Sequence, residues 1–517
     1  VLDAGFTGAD LELEQLNAAM IDLKDAVWSV ARDRLRAARE VAALSNGDVS
    51  PAGAIALFSL HQALSAIDRL EVRGRDSAGI QLVVHRHDVD LGDPAVAAEI
   101  ARRNDVNFSS GAIRVEGDSV VFVYKAAFEI GELGDNTAAL RAAVRSDALL
   151  QRLLGAPSVE ALVLGHTRWA SVGIISEPNA HPQSSDELDL ADGPLWTAVL
   201  NGDVDNHADI IAAESMTIAP AVTTDAKVIP ALVSRRRADG LAAHDAFRDS
   251  VASMDGSVAI GASQAGDPES LFLALRGSGQ ALYVGLADDA FIVASEPYGV
   301  VEETSRFLRM DGETPANPEN PTASRGQIVQ LTATGAGTVD GIRRWSYDGT
   351  ELVVTEDELA HAEITTRDID RGSFPHFLLK EITDAPVSFR KTLRGKLLER
   401  DGVLSVELGE LTLPTSVRER IADGSIGRVM VIGQGTAAAA GASLALALGD
   451  LVADTTVRVE AVLATELSGF RLRADMSDTL IVAVSQSGTT TDTNRTVDLV
   501  RGRGATVIAI VNRRNSD

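Results

Sequence analysis

The N-terminal part of the chain carries apolar positions at helical spacing. Between residues 10 and 43, apolar side chains recur every three to five positions, at Leu11, Leu16, Met20, Leu23, Val27, Val30 and Leu35. This spacing predicts a long amphipathic helix or a pair of helices. An Asn-Gly-Asp turn at residues 46–48 and Pro51 interrupt the pattern, and Pro51 suits the first turn of a second helix over residues 52–70. We expect these helices to serve packing or oligomerisation.

The middle of the chain is dominated by short apolar stretches. A strand is predicted at residues 80–84, a hairpin at 107–130 and a helix at 137–154. Five further apolar stretches predict a single antiparallel β layer that continues the same domain, at residues 258–263, 270–275, 281–286, 291–295 and 328–333.

The pattern changes again near the C-terminus. Residues 356–375 are polar and acidic, as is typical of an interdomain linker, and a helix is predicted from His376 onward. Apolar strands then alternate with helical stretches, at residues 429–432, 457–462, 480–484 and 507–510. Such alternation predicts a parallel sheet with covering helices.

Composition narrows the classes of function. With 517 residues and 45% hydrophobic content, the chain is long enough for two to four folded domains. A net charge of −27 argues against nucleic-acid and anionic-membrane partners. The absence of cysteine excludes disulfides and thiolate metal sites within these residues. No apolar run approaches the roughly 18 residues of a membrane span, so we expect a cytoplasmic protein.

Two strands between residues 163 and 206 end in polar side chains with recognisable chemistry. One runs into His166-Thr167-Arg168-Trp169, and the other ends in Asn201-Gly202. Arg, His, Asn and Gly side by side are typical of a site for a small anionic molecule that bears an amide. Nearby, Arg73 and Asp76 could brace the entrance of a site or pair on the surface, and Asp225 could cap the helix that follows it.

Two loops in the C-terminal part are candidates for phosphate binding. Gly433-Gln434-Gly435-Thr436 follows a strand and precedes an Ala-rich helix, as in a dinucleotide fingerprint, with Glu460 in or near the next strand. The second loop, Ser485-Gln486-Ser487-Gly488-Thr489-Thr490, places four hydroxyls and one amide at a helix N-terminus. A cap needs one hydroxyl, so this loop favours a phosphate monoester as ligand.

Seven motifs in order resemble the glutamine–fructose-6-phosphate aminotransferase family. They are RGRDSAG (73–79), GHTRWASVG (165–173), SEPNAHP (176–182), LNGDVDNH (200–207), TTDAKV (223–228), HFLLKEI (376–382) and SQSGTTTDT (485–493). The first five motifs fit any class II amidotransferase, and the last two point to the aminotransferase family among them. The resemblance implies a multidomain α/β protein in which an αββα glutaminase of the N-terminal-nucleophile type precedes a doubly wound sugar-isomerase (SIS) domain.

The resemblance also implies domain limits and an activity. Residues 1–70 would be an extra helical segment, 71–355 the glutaminase domain, 356–375 the linker and 376–517 the first SIS domain, with the second SIS domain absent. The implied reaction transfers the amide nitrogen of glutamine to fructose 6-phosphate and yields glucosamine 6-phosphate and glutamate. It needs no metal or organic cofactor, and we expect a homo-oligomer.

The family's glutamine-site roles transfer onto matching residues. Arg168 would hold glutamine's α-carboxylate and Asp225 its α-ammonium, with a hydroxyl contact from Ser171. The Asn201 side chain and the Gly202 N–H would face the oxyanion that forms on the amide carbonyl.

The remaining implied roles concern ammonia and the sugar phosphate. Trp169 would gate the passage of ammonia. The phosphate of the sugar would be held by Thr436, Ser485, Gln486, Ser487 and Thr490.

The sequence departs from the family at the nucleophile, which should be an N-terminal Cys. The chain begins at Val1 and contains no Cys, so we expect the Cys-bearing strand to lie upstream of Val1. Two alternatives stay open. One is a non-catalytic regulator that binds sugar phosphates and carries an inactive glutaminase domain. The other is a nicotinamide enzyme that uses Gly433-Gln434-Gly435.

Overall fold

The computed structural model describes residues 19–511, except residues 21, 48, 129–131, 190–192, 278–279, 363, 394–395, 401, 411, 487 and 489. The chain divides into two compact units, Val1–Asp370 and Arg371–Asp517. Among the described residues, no helix has the length and apolarity that crossing a membrane requires.

Unit 1 contains eight labelled helices and fourteen strands. Its helices are α1 (Leu35–Leu44), α2 (Pro51–Leu70), α3 (Pro94–Arg102), α4 (Asp135–Ser146), α5 (Ala148–Leu153), α6 (His207–Ala213), α7 (Val228–Ala238) and α8 (Ala243–Ala252). Its strands are β1 (Ser77–His85), β2 (Ile113–Glu116), β3 (Ser119–Ala126), β4 (Glu160–Arg168), β5 (Gln183–Ser184), β6 (Trp196–Gly202), β7 (Val258–Gln264), β8 (Asp267–Arg276), β9 (Tyr283–Leu286), β10 (Phe291–Ala294), β11 (Arg306–Arg309), β12 (Gln327–Thr332), β13 (Ile342–Ser346) and β14 (Ala360–His361).

Two antiparallel sheets stack face to face at the centre of unit 1. Their strand orders are β2-β3-β1-β4 and β13-β12-β8-β7-β6-β5. Side chains on the facing surfaces meet directly: Gln81 Nε2 of β1 donates to Ser263 Oγ of β7 at 3.4 Å. Helices α2 and α4 cover the outer face of the first sheet, and α7 and α8 cover that of the second. The expected αββα architecture is therefore confirmed.

The predicted single β layer after residue 256 is wrong. Strands β7, β8, β12 and β13 extend the second central sheet, whereas β9, β10, β11 and β14 form a separate four-stranded sheet. The two sheets share an apolar cluster that includes Leu273, Val284, Leu308 and Leu331. Hydropathy identifies each strand singly, but strand pairing depends on contacts between distant segments.

Helix α2 is part of the core of unit 1 and not of a separate N-terminal segment. Ser50 caps this helix by accepting a hydrogen bond from Gly53 N at 2.9 Å, and Pro51 occupies its first turn. Leu57, Leu60 and Leu64 are at most 1% exposed and pack against the first central sheet. The limit expected at residue 70 thus cuts through one continuous core.

The division between the two units falls inside the predicted linker, after Asp370. Residues before it belong to unit 1, because β14 pairs with β11 and Thr366 Oγ1 donates to the buried Asp33 at 2.5 Å. Residues 356–370 are acidic because they lie at the surface of unit 1, and they are nevertheless held to this unit by hydrogen bonds.

Unit 2 contains helices α9 (Phe377–Leu393), α10 (Thr415–Ala422), α11 (Thr436–Leu451), α12 (Ala464–Glu466) and α13 (Thr491–Arg501). A hairpin of β15 (Leu397–Arg400) and β16 (Val403–Val406) follows α9. The remaining strands, β17 (Arg428–Gly433), β18 (Arg458–Leu463), β19 (Thr479–Ser485) and β20 (Thr506–Val511), form a parallel sheet in the order β18-β17-β19-β20. The predicted parallel sheet is confirmed.

Candidate functional site

The first candidate site begins at Arg168, the last residue of β4. Its side chain is buried, and the guanidinium donates to the carbonyls of Val172 and Ile174. Burial lowers the pKa of Arg168, while the charges of Asp225 and Asp76 attract its guanidinium. A buried cation that is held mainly by neutral carbonyls is suited to bind an anion.

Asn201 and Gly202 end strand β6 and are not a hairpin turn. They pair with Ala259 and Val258 of β7. Gly202 has φ +118°, and a Cβ at this position would lie 2.0 Å from the Ser257 carbonyl oxygen. Only glycine fits there, because both the backbone angle and the close approach exclude a side chain. The Asn201 side chain is exposed at the same strand end.

Asp225 is joined to the end of β6 by a hydrogen bond. Its Oδ2 accepts from the backbone N–H of Val204 at 2.8 Å, and its side chain is only 4% exposed. Burial raises the pKa of Asp225, and the charge of Asp203 raises it further. The carboxylate therefore binds the neighbouring strand end, a contact that a simple helix cap before α7 does not require.

A loop that follows β4 lies beside these residues. Ala170 N donates to Asp76 Oδ2 at 2.8 Å, and Ser171 Oγ donates to Asp203 Oδ1 at 2.6 Å. A Cβ at Gly173, which has φ +84°, would lie 2.9 Å from Thr223 Oγ1. Trp169, at the start of this loop, is 75% exposed. Asp76 thus braces the loop, which was one of the two roles considered for it.

The predicted residues of the glutamine site therefore lie on neighbouring elements. Contacts link the Arg168 strand end, the Ser171 loop, the Asn201-Gly202 strand end and Asp225. The roles given to them stay predictions. The Asp203 contact was missed, because nothing in the sequence indicates that this residue meets Ser171 across 32 positions.

Two histidines next to this site form a packed pair. The rings of His166 and His181 are 4.6 Å apart, and Leu200 N donates to His181 Nδ1 at 3.3 Å. Burial lowers the pKa of His166 to about 4 and that of His181 well below its usual range. Both rings are therefore neutral at pH 7.

Two buried lysines in the same unit were not anticipated from the sequence. Lys125 of β3 is 3% exposed, and its Nζ has no hydrogen-bond partner among the described residues, although it lies 5.3 Å from the centre of the Phe108 ring. Lys227 Nζ donates to the carbonyls of Ser184 and Asp186, both at 2.6 Å. Burial lowers the pKa of Lys125 to about 7 and that of Lys227 to about 8. For Lys125, the sequence did offer a sign of burial, because this lysine stands alone in an otherwise apolar strand.

The second candidate site lies in unit 2, where the connections leave the parallel sheet in opposite directions. After β17 the chain adds β18 on one side, and it then adds β19 on the other. Ligands of open α/β sheets bind at such a switch point, beyond the carboxyl ends of the strands. The loops at residues 433–436 and 485–490 follow the two strands that flank it.

The second loop is organised around Ser485. Its buried Oγ accepts from Gly488 N at 3.0 Å and lies 3.4 Å from Thr490 Oγ1. Thr490 precedes α13, and Gln486 is exposed. Ser487 lies outside the described residues.

The first loop leads into α11, whose first residue, Thr436, is exposed. The Gln434 Oε1 atom is buried and has no hydrogen-bond partner among the described residues. Glu460 lies in the middle of β18, opposite Met430, and pairs with Arg471 at 2.6 Å. A nicotinamide cofactor needs an acidic residue at the strand end, so this placement weighs against the dinucleotide interpretation.

A further contact in unit 2 was not anticipated. Asn494 Nδ2 of α13 donates to the Gly488 carbonyl at 3.0 Å and so fixes the 485–490 loop to the helix. Among the residues that the structure describes, no group of three or more His, Asp or Glu side chains could hold a metal ion.

Comparison with known proteins identifies relatives of this chain. Residues 425–517 match the family described as "SIS domain". The chain is 26% identical over 409 residues to the glutamine–fructose-6-phosphate aminotransferase [isomerizing] of Bacillus cereus, covering 78% of this chain and 57% of that protein. The enzyme of the same name from Oceanobacillus iheyensis is 29% identical over 350 residues, covering 68% and 51%.

The solved structures that align include the glutamine phosphoribosylpyrophosphate amidotransferase from B. subtilis in complex with ADP and GMP. It is 14% identical, covers 90% of this chain and 80% of that chain, and has a TM-score of 0.35, which is too low to support an inference. The chain spans only 57% of the length of the first curated relative. By these sequence matches, the chain is similar to glutamine–fructose-6-phosphate aminotransferases, and its residues 425–517 match the SIS domain.

Proposed function

We propose that unit 1 binds glutamine, that unit 2 binds the phosphate of a ketose phosphate, and that the protein transfers glutamine's amide nitrogen to fructose 6-phosphate. The products would be glucosamine 6-phosphate and glutamate. The observation that carries the proposal is the buried, carbonyl-held guanidinium of Arg168, which lies near the Asn201-Gly202 strand end and the buried carboxylate of Asp225.

Charge and geometry support glutamine as the ligand of unit 1. The planar guanidinium of Arg168 matches the two oxygens of an α-carboxylate. Among the described residues, no Lys, Arg or His nitrogen lies within 4.0 Å of the Asp225 carboxylate, which leaves it available for an α-ammonium. Ser171 adds a hydroxyl at the same rim.

The Asn201-Gly202 strand end supports chemistry at the amide. An exposed Asn201 amide and the Gly202 N–H are neutral donors on rigid backbone, and such donors stabilise an oxyanion once the carbonyl is attacked. Each donor of this kind typically contributes about 3 kcal/mol to lowering the barrier. The positive φ of Gly202 fixes the direction in which its N–H points.

We assign no nucleophile among these 517 residues. The glutaminase chemistry of this architecture uses a Cys, and the sequence contains none. In the proposed reaction these residues orient glutamine and stabilise the oxyanion. Trp169, which is exposed beside the site, would gate the ammonia that is released.

The phosphate site of unit 2 would use the loops at the switch point of the sheet. Ser485, Thr490 and Thr436 supply hydroxyls near the N-termini of α13 and α11, where backbone N–H groups point outward. Gln486 and Ser487 complete the proposed set. A neutral cradle of this kind suits a phosphate monoester in a protein whose net charge is −27.

The alternative function is a regulator that binds sugar phosphates without turnover. Both candidates share the phosphate site. They differ in glutamine hydrolysis by the full-length protein, which the regulator would lack.

Isothermal titration with L-glutamine and with fructose 6-phosphate tests the binding roles. We expect one site per chain for each ligand, and we expect Arg168→Ala to abolish glutamine binding while fructose 6-phosphate binding stays unchanged. Arg152→Ala, at an exposed position of α5, is the matched control and should alter neither. Loss of both ligands in Arg168→Ala would show that the two sites are not separate.

A further inference from the structure

Asp203 closes a ring of contacts around the glutamine site proposed above. The ring runs from Arg168 through its loop to Ser171, whose Oγ donates to Asp203 Oδ1 at 2.6 Å. The backbone N–H of the next residue, Val204, donates to Asp225 at 2.8 Å. Electrostatic attraction between Asp225 and Arg168 completes the ring.

The ring contains two carboxylates, and their negative charge is only partly compensated by nearby cations. Asp203 raises the pKa of Asp225, so the two carboxylates are close enough to repel each other. Among the described residues, no basic nitrogen lies within 4.0 Å of either carboxylate, and the charge of Arg168 is shared between Asp225 and Asp76. A buried or half-buried carboxylate pair is costly when the cation near it is also attracted to a third carboxylate.

We propose that Asp203 is a specificity-determining residue that, together with Asp225, receives the α-ammonium of the substrate and restricts the site to amides that carry this group. This inference rests on the proposed glutamine site. An ammonium between the two carboxylates relieves their repulsion, while Ser171 keeps Asp203 turned toward the site. The resemblance to the aminotransferase family assigns no function to Asp203.

The backbone around Asp203 holds its carboxylate in place. Asp203 N donates to the Ser257 carbonyl at 3.2 Å, and a Cβ at Gly256 would lie 2.2 Å from the Asp203 carbonyl oxygen. The following acidic residue, Asp205, is exposed and donates its N–H to Asp255 O at 3.0 Å. Asp205 therefore shares the loop and the charge of Asp203 without joining the ring.

Calorimetric titration with two probes tests the inference on the full 517-residue chain. The probes are L-glutamine and glutaramate, which keeps the carboxylate and the amide but lacks the α-ammonium. The variant Asp203→Asn preserves the oxygen that accepts from Ser171 and removes the charge. We expect it to weaken L-glutamine binding at least tenfold and to change glutaramate binding less than twofold, whereas Asp205→Asn changes both less than twofold.

Other outcomes separate the inference from the function on which it rests. Equal weakening of both probes in Asp203→Asn would assign Asp203 a purely structural role and overturn the inference, as would an unchanged affinity for L-glutamine. In both cases the unaltered protein still binds glutamine, and the proposed function stands. If the unaltered protein binds neither probe, the glutamine site itself is wrong and the inference falls with it.

Discussion

At the scale of single residues, the site depends on positions where only one residue type fits. Gly202 is such a position, because its φ is +118° and a Cβ there would lie 2.0 Å from the Ser257 carbonyl oxygen. The sequence indicated Arg168, Asn201, Gly202 and Asp225 because they belong to recognisable motifs. It could not indicate Asp203, whose contact depends on how two loops meet in space.

Replacing Gly202 by Ala should destabilise unit 1 by roughly 2 kcal/mol or more, since a strained backbone angle adds to a clash with a carbonyl. Gly111→Ala is the control, because Gly111 has φ +85° but no atom within 4 Å of a Cβ, and should cost about 1 kcal/mol. Urea unfolding followed by tryptophan fluorescence measures both, because all four tryptophans lie in unit 1. If both substitutions lowered the free energy of unfolding equally, the predicted clash at Gly202 would be wrong.

Lys125→Met should stabilise unit 1, because the buried Nζ has no hydrogen-bond partner among the described residues. The unfolded lysine keeps its proton up to its usual pKa of 10.5, whereas the folded one loses it near 7, so folding is penalised most below pH 7. We expect a gain of roughly 2–4 kcal/mol below pH 7 that fades toward pH 10.5.

The control for this prediction is Lys227→Met. It should lower stability at pH 7, because Nζ of Lys227 donates to two carbonyls that would lose their donor. Unfolding curves at several pH values measure both variants. A stabilising effect of Lys227→Met, or a gain from Lys125→Met that grows with pH, would contradict the assignment.

At the scale of elements, periodicity predicted the helices and the parallel sheet well, because each βα unit is defined by local sequence. It failed for the separate sheet of β9, β10, β11 and β14, because apolar strands of equal length can join either of two sheets. It also separated α2 from the core that this helix helps to form. Both errors arise from contacts between residues far apart in sequence.

A buried ionic cluster holds the N-terminal helices to unit 1. Glu302 pairs with Arg36 at 3.0 Å and with Arg69, and it accepts from Ser65 at 3.0 Å. These attractions lower the pKa of Glu302 despite its burial. Removing its charge takes away the carboxylate with which Arg36 and Arg69 both pair.

We therefore expect Glu302→Gln to lower the free energy of unfolding by roughly 3 kcal/mol. Glu303→Gln is the control, because Glu303 pairs with the half-exposed Arg34 and lacks the contact with the largely buried Arg69, and it should cost less than about 1 kcal/mol. Tryptophan fluorescence during urea unfolding measures both changes. Similar effects of the two substitutions would show that the buried cluster contributes no more to stability than the Arg34–Glu303 pair.

At the scale of the whole molecule, each of the two units is proposed to bind one ligand. A ligand that binds only the folded state stabilises it by RT ln(1 + [L]/Kd), which is about 2.7 kcal/mol at a concentration of 100 Kd. Saturating L-glutamine should therefore raise the unfolding midpoint that the unit 1 tryptophans report. Fructose 6-phosphate should leave that midpoint unchanged, and a shift with fructose 6-phosphate alone would contradict the assignment.

The most direct test of the glutamine site is a crystal structure of this chain with bound L-glutamine. We predict the α-carboxylate on the Arg168 guanidinium, the α-ammonium at Asp225 and the amide oxygen facing Asn201 and Gly202. Glutamine bound elsewhere, or in the reverse orientation, would contradict this assignment. So would a site that stays empty at a glutamine concentration that saturates binding in solution.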